Sequence, residues 1–266
     1  MSQMFTEAQR SAFQINGFFT VPHFFDASEV KLLQSEIERL KLEGKLRNVA
    51  TDGDGSTHSV QKRNLQVCPV NPHSEPFRAL PFIPKVTQAI SELVGDPVVL
   101  RLDQVFLKPA KDGAGTNWHQ DNAYFKVADP TRGVAMWIAV HDATIANGTM
   151  HMIPGMQSVE LEHKRDPDSD HHVRCWPDET KEVPCELEAG GVVFFVYGTP
   201  HCTKGNSTDK DRAGLAYHFY NAAYPPHDGT GSELLPLLTG PEANGGLNEY
   251  GSDQRGRWEQ LVERAQ

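Results

Sequence analysis

No part of the 266-residue chain stays apolar long enough to cross a bilayer. The longest run, residues 192–197, falls far short of the roughly 20 residues a spanning helix needs. The opening MSQMFTEAQR lacks the basic-then-apolar layout of a secretory signal, so a cytoplasmic protein is expected. Lys and Arg number 25 against 35 Asp and Glu, a net charge of −10. With no basic stripe or like-charge run, a nucleic-acid partner is not expected. The cysteines Cys68, Cys175, Cys185 and Cys202 contain no C-x-x-C pair, which argues against a zinc ribbon or a thioredoxin-type motif. In a reducing cytoplasm they read as free thiols. Internal repeats and low-complexity segments are also lacking. What is present, 38% hydrophobic and 23% charged residues, is ordinary for a globular protein and too apolar for a disordered one.

The first ninety-odd residues read as helical. Thr6 with Gln9, and Asp26 with Glu29, have the spacing of capping boxes. Val30, Leu33, Ile37 and Leu40 share one helical face that Gly44 can end, and Val86, Ala89, Ile90, Leu93 and Val94 form another before Gly95. Residues 51–59, polar and containing Gly53 and Gly55, suit a mobile loop. From Pro97 the pattern changes to strands: 98–108, 134–140, 192–197 and 215–220 are apolar, and Asn147-Gly148 signals a tight turn. Residues 159–188, charged and carrying three prolines, read as a long excursion from the sheet. The Gly/Pro-rich tail ends in a short helix near 258–264. This order implies an α+β chain, mainly β, with a sandwich or barrel at its centre.

The segment Trp118-His119-Gln120-Asp121 carries the chemistry. On an extended strand His119 and Asp121 point to one face, with Trp118 and Gln120 on the other. Among 12 histidines one H-x-D pair is a weak signal. A second histidine changes its weight: His201 lies at the mouth of the strand 192–197, and Arg212 opens the next. An antiparallel connection would bring Arg212 beside His201. Two imidazoles and one carboxylate leave three open positions on an octahedral metal, as in non-heme Fe(II) oxygenases. A buried guanidinium nearby suits a planar carboxylate.

The set of H-Q-D at 119–121, Asn147-Gly148 before Ile153-Pro154-Gly155, His201 and Arg212 resembles the phytanoyl-CoA dioxygenase family. Gly17-Phe18-Phe19 and Phe24-Phe25-Asp26 extend the resemblance over about residues 5–225. The resemblance implies a double-stranded β-helix (jelly roll, cupin-like) core at 96–225, after a mostly helical part at 1–95 and before a tail at 226–266. It implies Fe(II), 2-oxoglutarate and O2 as cofactor and cosubstrates, with His119, Asp121 and His201 holding iron. Arg212 would grip the distal carboxylate of 2-oxoglutarate, helped by Thr203. Trp137, Gln104 and Lys108 would line the cosubstrate pocket. The sequence departs from the family at Met156-Gln157, where a Ser-His is common. Asp121 is present where related halogenases have a small residue, so hydroxylation fits better than chlorination.

Plainer readings stand beside these. The three ligands could form a structural ion-pair network, Arg212 could be a surface arginine, and Trp137 a core aromatic. Gln104 and Lys108 could face solvent, and Thr203 could satisfy a turn. His171-His172 and His141-Asp142 read as non-ligands. His218 shares the strand parity of Arg212 and could enter the cavity, but it reads rather as a hydrogen-bonded core residue. Rival functions are a non-catalytic jelly-roll module binding a metal and a small acid, and a divalent-metal hydrolase or isomerase. The substrate expected is a small molecule; acyl-CoA is disfavoured, since no basic cluster awaits its phosphates.

Overall fold

The computed structural model describes residues 3–229 and 235–266; residues 230–234 of the tail and the first two residues of the N-terminus lie outside the described residues. The strands are β1 (Phe18–Val21), β2 (Arg47–Asn48), β3 (Leu65–Val67), β4 (Val98–Lys108), β5 (Thr116–His119), β6 (Gly133–Ala139), β7 (Met150–Met152), β8 (Lys164–Arg165), β9 (Val173–Arg174), β10 (Val183–Cys185), β11 (Val192–Val196), β12 (His201–Thr203) and β13 (Arg212–Asn221). The α-helices are α1 (Glu7–Asn16), α2 (Ala27–Leu42), α3 (Glu75–Ala79), α4 (Pro84–Val94), α5 (Asn122–Phe125) and α6 (Arg257–Ala265).

Both expected capping boxes form. Thr6 and Gln9 close the start of α1, and Asp26 and Glu29 close that of α2. Gly95 ends α4 with φ 77°. The N-terminal part is nevertheless less helical than its pattern implies, because β1, β2 and β3 join the main sheet. Gly17 ends α1 in the left-handed conformation with φ 84°, and a Cβ there would stand 2.5 Å from Thr199 Oγ1. Glycine therefore lets the chain turn straight into Phe18 and Phe19, which pair with Phe195 and Phe194. β1 is short and buries its first two residues consecutively, so it shows no alternation by which it could be read.

Seven strands form the main sheet in the order β1-β11-β6-β13-β4-β3-β2, and four form the facing sheet in the order β10-β7-β12-β5. This is a double-stranded β-helix, the jelly roll, cupin-like and mainly β. Strands β6, β11 and β13 are buried throughout because both faces of the main sheet are covered. Met136, Ile138, Phe194 and Leu215 pack beneath the helices, while Ala135, Trp137, Phe195 and Ala216 face the second sheet. Helix α6 docks through Trp258, whose indole donates to Glu29 Oε1 at 2.9 Å.

The excursion at 159–188 does not stay outside the sheets. It contributes the β8–β9 hairpin and then β10, the edge of the smaller sheet. The 51–59 loop, expected to be mobile, is tied to it: the Thr51 amide donates to Asp168 O, and its hydroxyl donates to Pro167 O at 2.6 Å. Among the described residues no helix is long and apolar enough to cross a membrane.

Candidate metal centre

β5 ends at His119, and the chain turns at Gln120 rather than continuing as a strand. Asp121 therefore has helical backbone angles (φ −58°, ψ −32°) and opens α5. Its convergence with His119 comes from this turn and not from strand parity. Gln120 points away, as expected, and its amide donates to the carbonyl oxygens of Val159 and Gly198. His201 lies on its own strand, β12, where it pairs directly with His119. The chain crosses to the smaller sheet between β11 and β12. β12 and β13 are therefore not neighbours, and Arg212 meets His201 across the space between the sheets, not along a hairpin.

Asp121 Oδ1 lies 3.8 Å from His119 Nε2 and 3.6 Å from His201 Nε2. Two donors each about 2.1 Å from one ion can stand at most about 4.2 Å apart, so both separations fit a shared metal. The other ring nitrogens are fixed: His119 Nδ1 donates to Asn117 O at 2.8 Å and His201 Nδ1 to Thr199 O at 3.0 Å. Since a carbonyl only accepts, each Nε2 keeps its lone pair for a ligand role. Burial pushes the His119 imidazole down to about 3, assisted by His201, and lowers His201 as well. Burial alone would raise the Asp121 carboxyl, but the imidazoles of His201, His218 and His119 outweigh it and hold it low. At neutral pH the site presents neutral imidazoles and a carboxylate, the protonation state a cation requires. Among the described residues no other group of three His, Cys, Asp or Glu converges in this way.

Gln104, Lys108, Trp137, Thr203 and Arg212 line the same cavity of about 170 Å³. Arg212 is fully buried. Its guanidinium donates to Gly148 O and, at 3.5 Å, to Asn147 O, while Nη1 has no partner among the described residues. Burial pushes it down to about 9, which leaves it charged at neutral pH. Lys108 donates to Ala114 O, and burial, then the nearby Arg212, hold its amine well below the ordinary lysine value. Thr203 Oγ1 accepts from the Thr116 amide at 3.1 Å. The indole of Trp137 lies beside Arg212, with the guanidinium carbon 5.5 Å from the ring centre. Among the described residues Asp121 is the one acid on the wall, so the charged Arg212 beside Lys108 has no counter-ion there. A carboxylate would complete it.

Comparison with known proteins agrees with this geometry. Residues 13–214 match the profile described as phytanoyl-CoA dioxygenase (PhyH). The chain belongs to the phytanoyl-CoA dioxygenase family. It is 25% identical over 264 residues to phytanoyl-CoA dioxygenase domain-containing protein 1 of Rattus norvegicus, covering 81% of this chain and 90% of that one. The structure of the non-heme alpha ketoglutarate dependent carbocyclase SnoK from nogalamycin biosynthesis superposes with a TM-score of 0.73. At 20% identity, covering 89% of this chain and 97% of that one, it supports the fold. EvdO2 from Micromonospora carbonacea var. aurantiaca, solved with 2-oxoglutarate, is 26% identical with a TM-score of 0.65, covering 82% of this chain and 92% of that one.

This phytanoyl-CoA dioxygenase family member also brings to the cavity residues that the sequence left aside. His171 and His172 line it, delivered by the β8–β9 hairpin, and His172 lies parallel to His119 with ring centroids 6.5 Å apart. Nothing in the local pattern marks them, because the hairpin's path over the mouth is a tertiary feature. His218 lines the cavity too, and its strand parity with Arg212 was the available signal. His141 stays outside the metal cluster; its Nδ1 accepts from the Ala213 amide at 3.0 Å.

Proposed function

We propose that this chain is an Fe(II)- and 2-oxoglutarate-dependent dioxygenase that hydroxylates an unactivated C–H bond of a small molecule, with release of succinate and CO2. The observation that carries the reading is the shared cavity: a two-histidine, one-carboxylate cluster at one side, and a buried guanidinium with a free Nη1 at the other. A metal hydrolase has no use for that guanidinium, and a non-catalytic module that binds a metal and a small acid is separated by the assay below, since it would release no succinate.

His119, Asp121 and His201 hold the ferrous ion in this reading. Bound iron supplies the oxidising chemistry, with one oxygen atom of O2 leaving in succinate and the other entering the substrate. The chain's own residues orient and shield. Arg212 binds the distal carboxylate of 2-oxoglutarate through paired hydrogen bonds, and the amine of Lys108 donates another beside it. The Thr203 hydroxyl supports that carboxylate, Trp137 forms the wall beneath it, and Gln104 offers an amide on the same side. The turn of the β8–β9 hairpin brings His171 and His172 to the cavity wall and limits the entry of water. Arg165 holds that turn by donating to His172 O at 2.7 Å, and Thr51 of the 51–59 loop braces it through Pro167 O at 2.6 Å.

The test is succinate formation from 2-oxoglutarate with Fe(II) and ascorbate under air, compared with the Asp121→Ala variant and with anaerobic samples. Succinate from the wild type alone, and only with oxygen, is the expected result. Screening small metabolites for stimulation of that turnover then identifies the substrate. Turnover of a substrate without oxygen, or in the Asp121→Ala variant, overturns the proposal.

A further inference from the structure

His218 has no part in the ligand set, yet it faces the ligand carboxylate. The two oxygens of Asp121 are divided: Oδ1 lies toward His119 and His201, while Oδ2 stands 3.3 Å from His218 Nε2. Oδ2 is buried and, among the described residues, has no hydrogen bond at full geometry. His218 is 3% exposed, and its Nδ1 is also without a partner. The rings of Phe125 and Tyr197, with centroids 5.0 and 6.1 Å away, enclose it. A buried N–H without an acceptor costs more than a buried lone pair without a donor. The hydrogen therefore belongs on Nε2, aimed at Oδ2. The backbone supports this aim, since the register between β13 and β4 shifts between His218 and Phe219, and such irregularities redirect side chains near functional sites.

We propose that His218 is a positioning residue that hydrogen-bonds Oδ2 of Asp121, so that the carboxylate presents Oδ1 alone to the metal. The consequence is a count of open sites. A carboxylate that binds through one oxygen leaves three positions of an octahedral ion free, enough for a chelating keto acid and one further ligand; binding through both oxygens removes one. The inference rests on the metal-centre reading above.

Its test is Co(II) binding to the full chain, followed by calorimetry and by the visible spectrum of the bound ion, without any need for turnover. The variants are His218→Phe, which keeps the bulk and removes the donor, and His218→Gln, whose amide nitrogen can occupy the place of Nε2. His218→Phe is expected to weaken Co(II) binding about ten- to a hundredfold and to alter the spectrum, with an unchanged unfolding midpoint of the metal-free protein. His218→Gln is expected to restore most of the affinity and the wild-type spectrum. Wild-type affinity and spectrum in His218→Phe overturn the proposal. If that variant does not fold, His218→Gln is compared with His218→Asn, whose amide falls short of Oδ2; equal affinity for the two is the overturning result. Asp121→Ala separates the failures: if it binds Co(II) as the wild type does, the metal-centre reading itself falls.

Discussion

His201 stands directly opposite His119 in the antiparallel ladder of β12 and β5, with ring centroids 4.2 Å apart. Residues far apart in the chain are thus held side by side by direct strand pairing, which places their ring nitrogens close to one another.

Loss of either imidazole should remove the metal response rather than weaken it in proportion. At a metal concentration a hundred times Kd, binding stabilises a fold by about 2.7 kcal/mol. For a chain of this size that is a rise of roughly 5–10 °C in Tm. Wild-type protein should show such a shift with anaerobic Fe(II) or with Co(II), and His119→Ala and His201→Ala should show none by scanning fluorimetry. A full shift in either variant removes that residue from the ligand set.

Arg212 carries the cosubstrate assignment. The side chain is fully buried and its Nη1 lacks a partner among the described residues, so a bound carboxylate would have little competition from water. Arg212→Met should weaken 2-oxoglutarate binding to the Co(II)-loaded protein by at least about thirtyfold, from a loss of 2 kcal/mol or more for a buried charge pair. Arg212→Lys should recover little, because an ammonium lacks the planar fork. Isothermal titration with 2-oxoglutarate decides both.

Lys108 should behave in the opposite way in the two states of the protein. In the ligand-free cavity its amine is buried beside Arg212, and burial disfavours its charge. Lys108→Met should therefore leave the ligand-free protein as stable as the wild type or more so, since apolar replacement of buried charge is often neutral or stabilising. The same change should lower 2-oxoglutarate affinity several-fold. Urea unfolding and titration of one preparation measure both effects; a destabilised variant with unchanged affinity would make Lys108 purely structural.

Gly214 tests the wall behind Arg212. A Cβ at this position would lie 2.4 Å from Trp137 Cζ2, so the indole and the backbone of β13 touch. Gly214→Ala must push Trp137 toward the cavity, at an overpacking cost of about 1–3 kcal/mol. Lower stability and weaker 2-oxoglutarate binding should appear together, the first by denaturant unfolding and the second by titration. Unchanged binding in a folded variant would take Trp137 out of the pocket.

The convergent group of His119, Asp121 and His201 was legible from the sequence because its signal is short-range: two of them within three residues, and the third after the most apolar run of the chain. The reason for their convergence was not. Asp121 joins His119 through a turn into α5, and His201 reaches them because the chain changes sheets, which no local pattern records. Helix caps such as Asp26 with Glu29 were readable, because both partners lie within one turn. The strand at Phe18 was not, since its partner on β11 is remote and its short run shows no alternation. His172, read as a non-ligand, does stay outside the metal cluster; its place on the cavity wall was not readable, being set by a hairpin whose position depends on loops tied to it from elsewhere, the Thr51–Pro167 bond among them.

Acid should destabilise the metal-free protein, and the sign follows from the buried imidazoles. His119, His201 and His172 all sit below the ordinary value of 6.5, chiefly through burial. Below that pH the unfolded chain takes up protons that the folded chain refuses, so stability is fully present above 6.5 and falls as pH is lowered toward the folded values. Each histidine that stays neutral contributes a loss of up to about 2 kcal/mol between pH 7 and 5, at roughly 1.4 kcal/mol per pH unit for one proton. Urea unfolding at the two pH values measures the sum. His172→Phe, which leaves the metal ligands in place, should reduce the pH slope by about one proton. A flat profile in the wild type would mean that the imidazoles accept protons inside the fold, and the cavity around them would then have to admit water or a counter-ion.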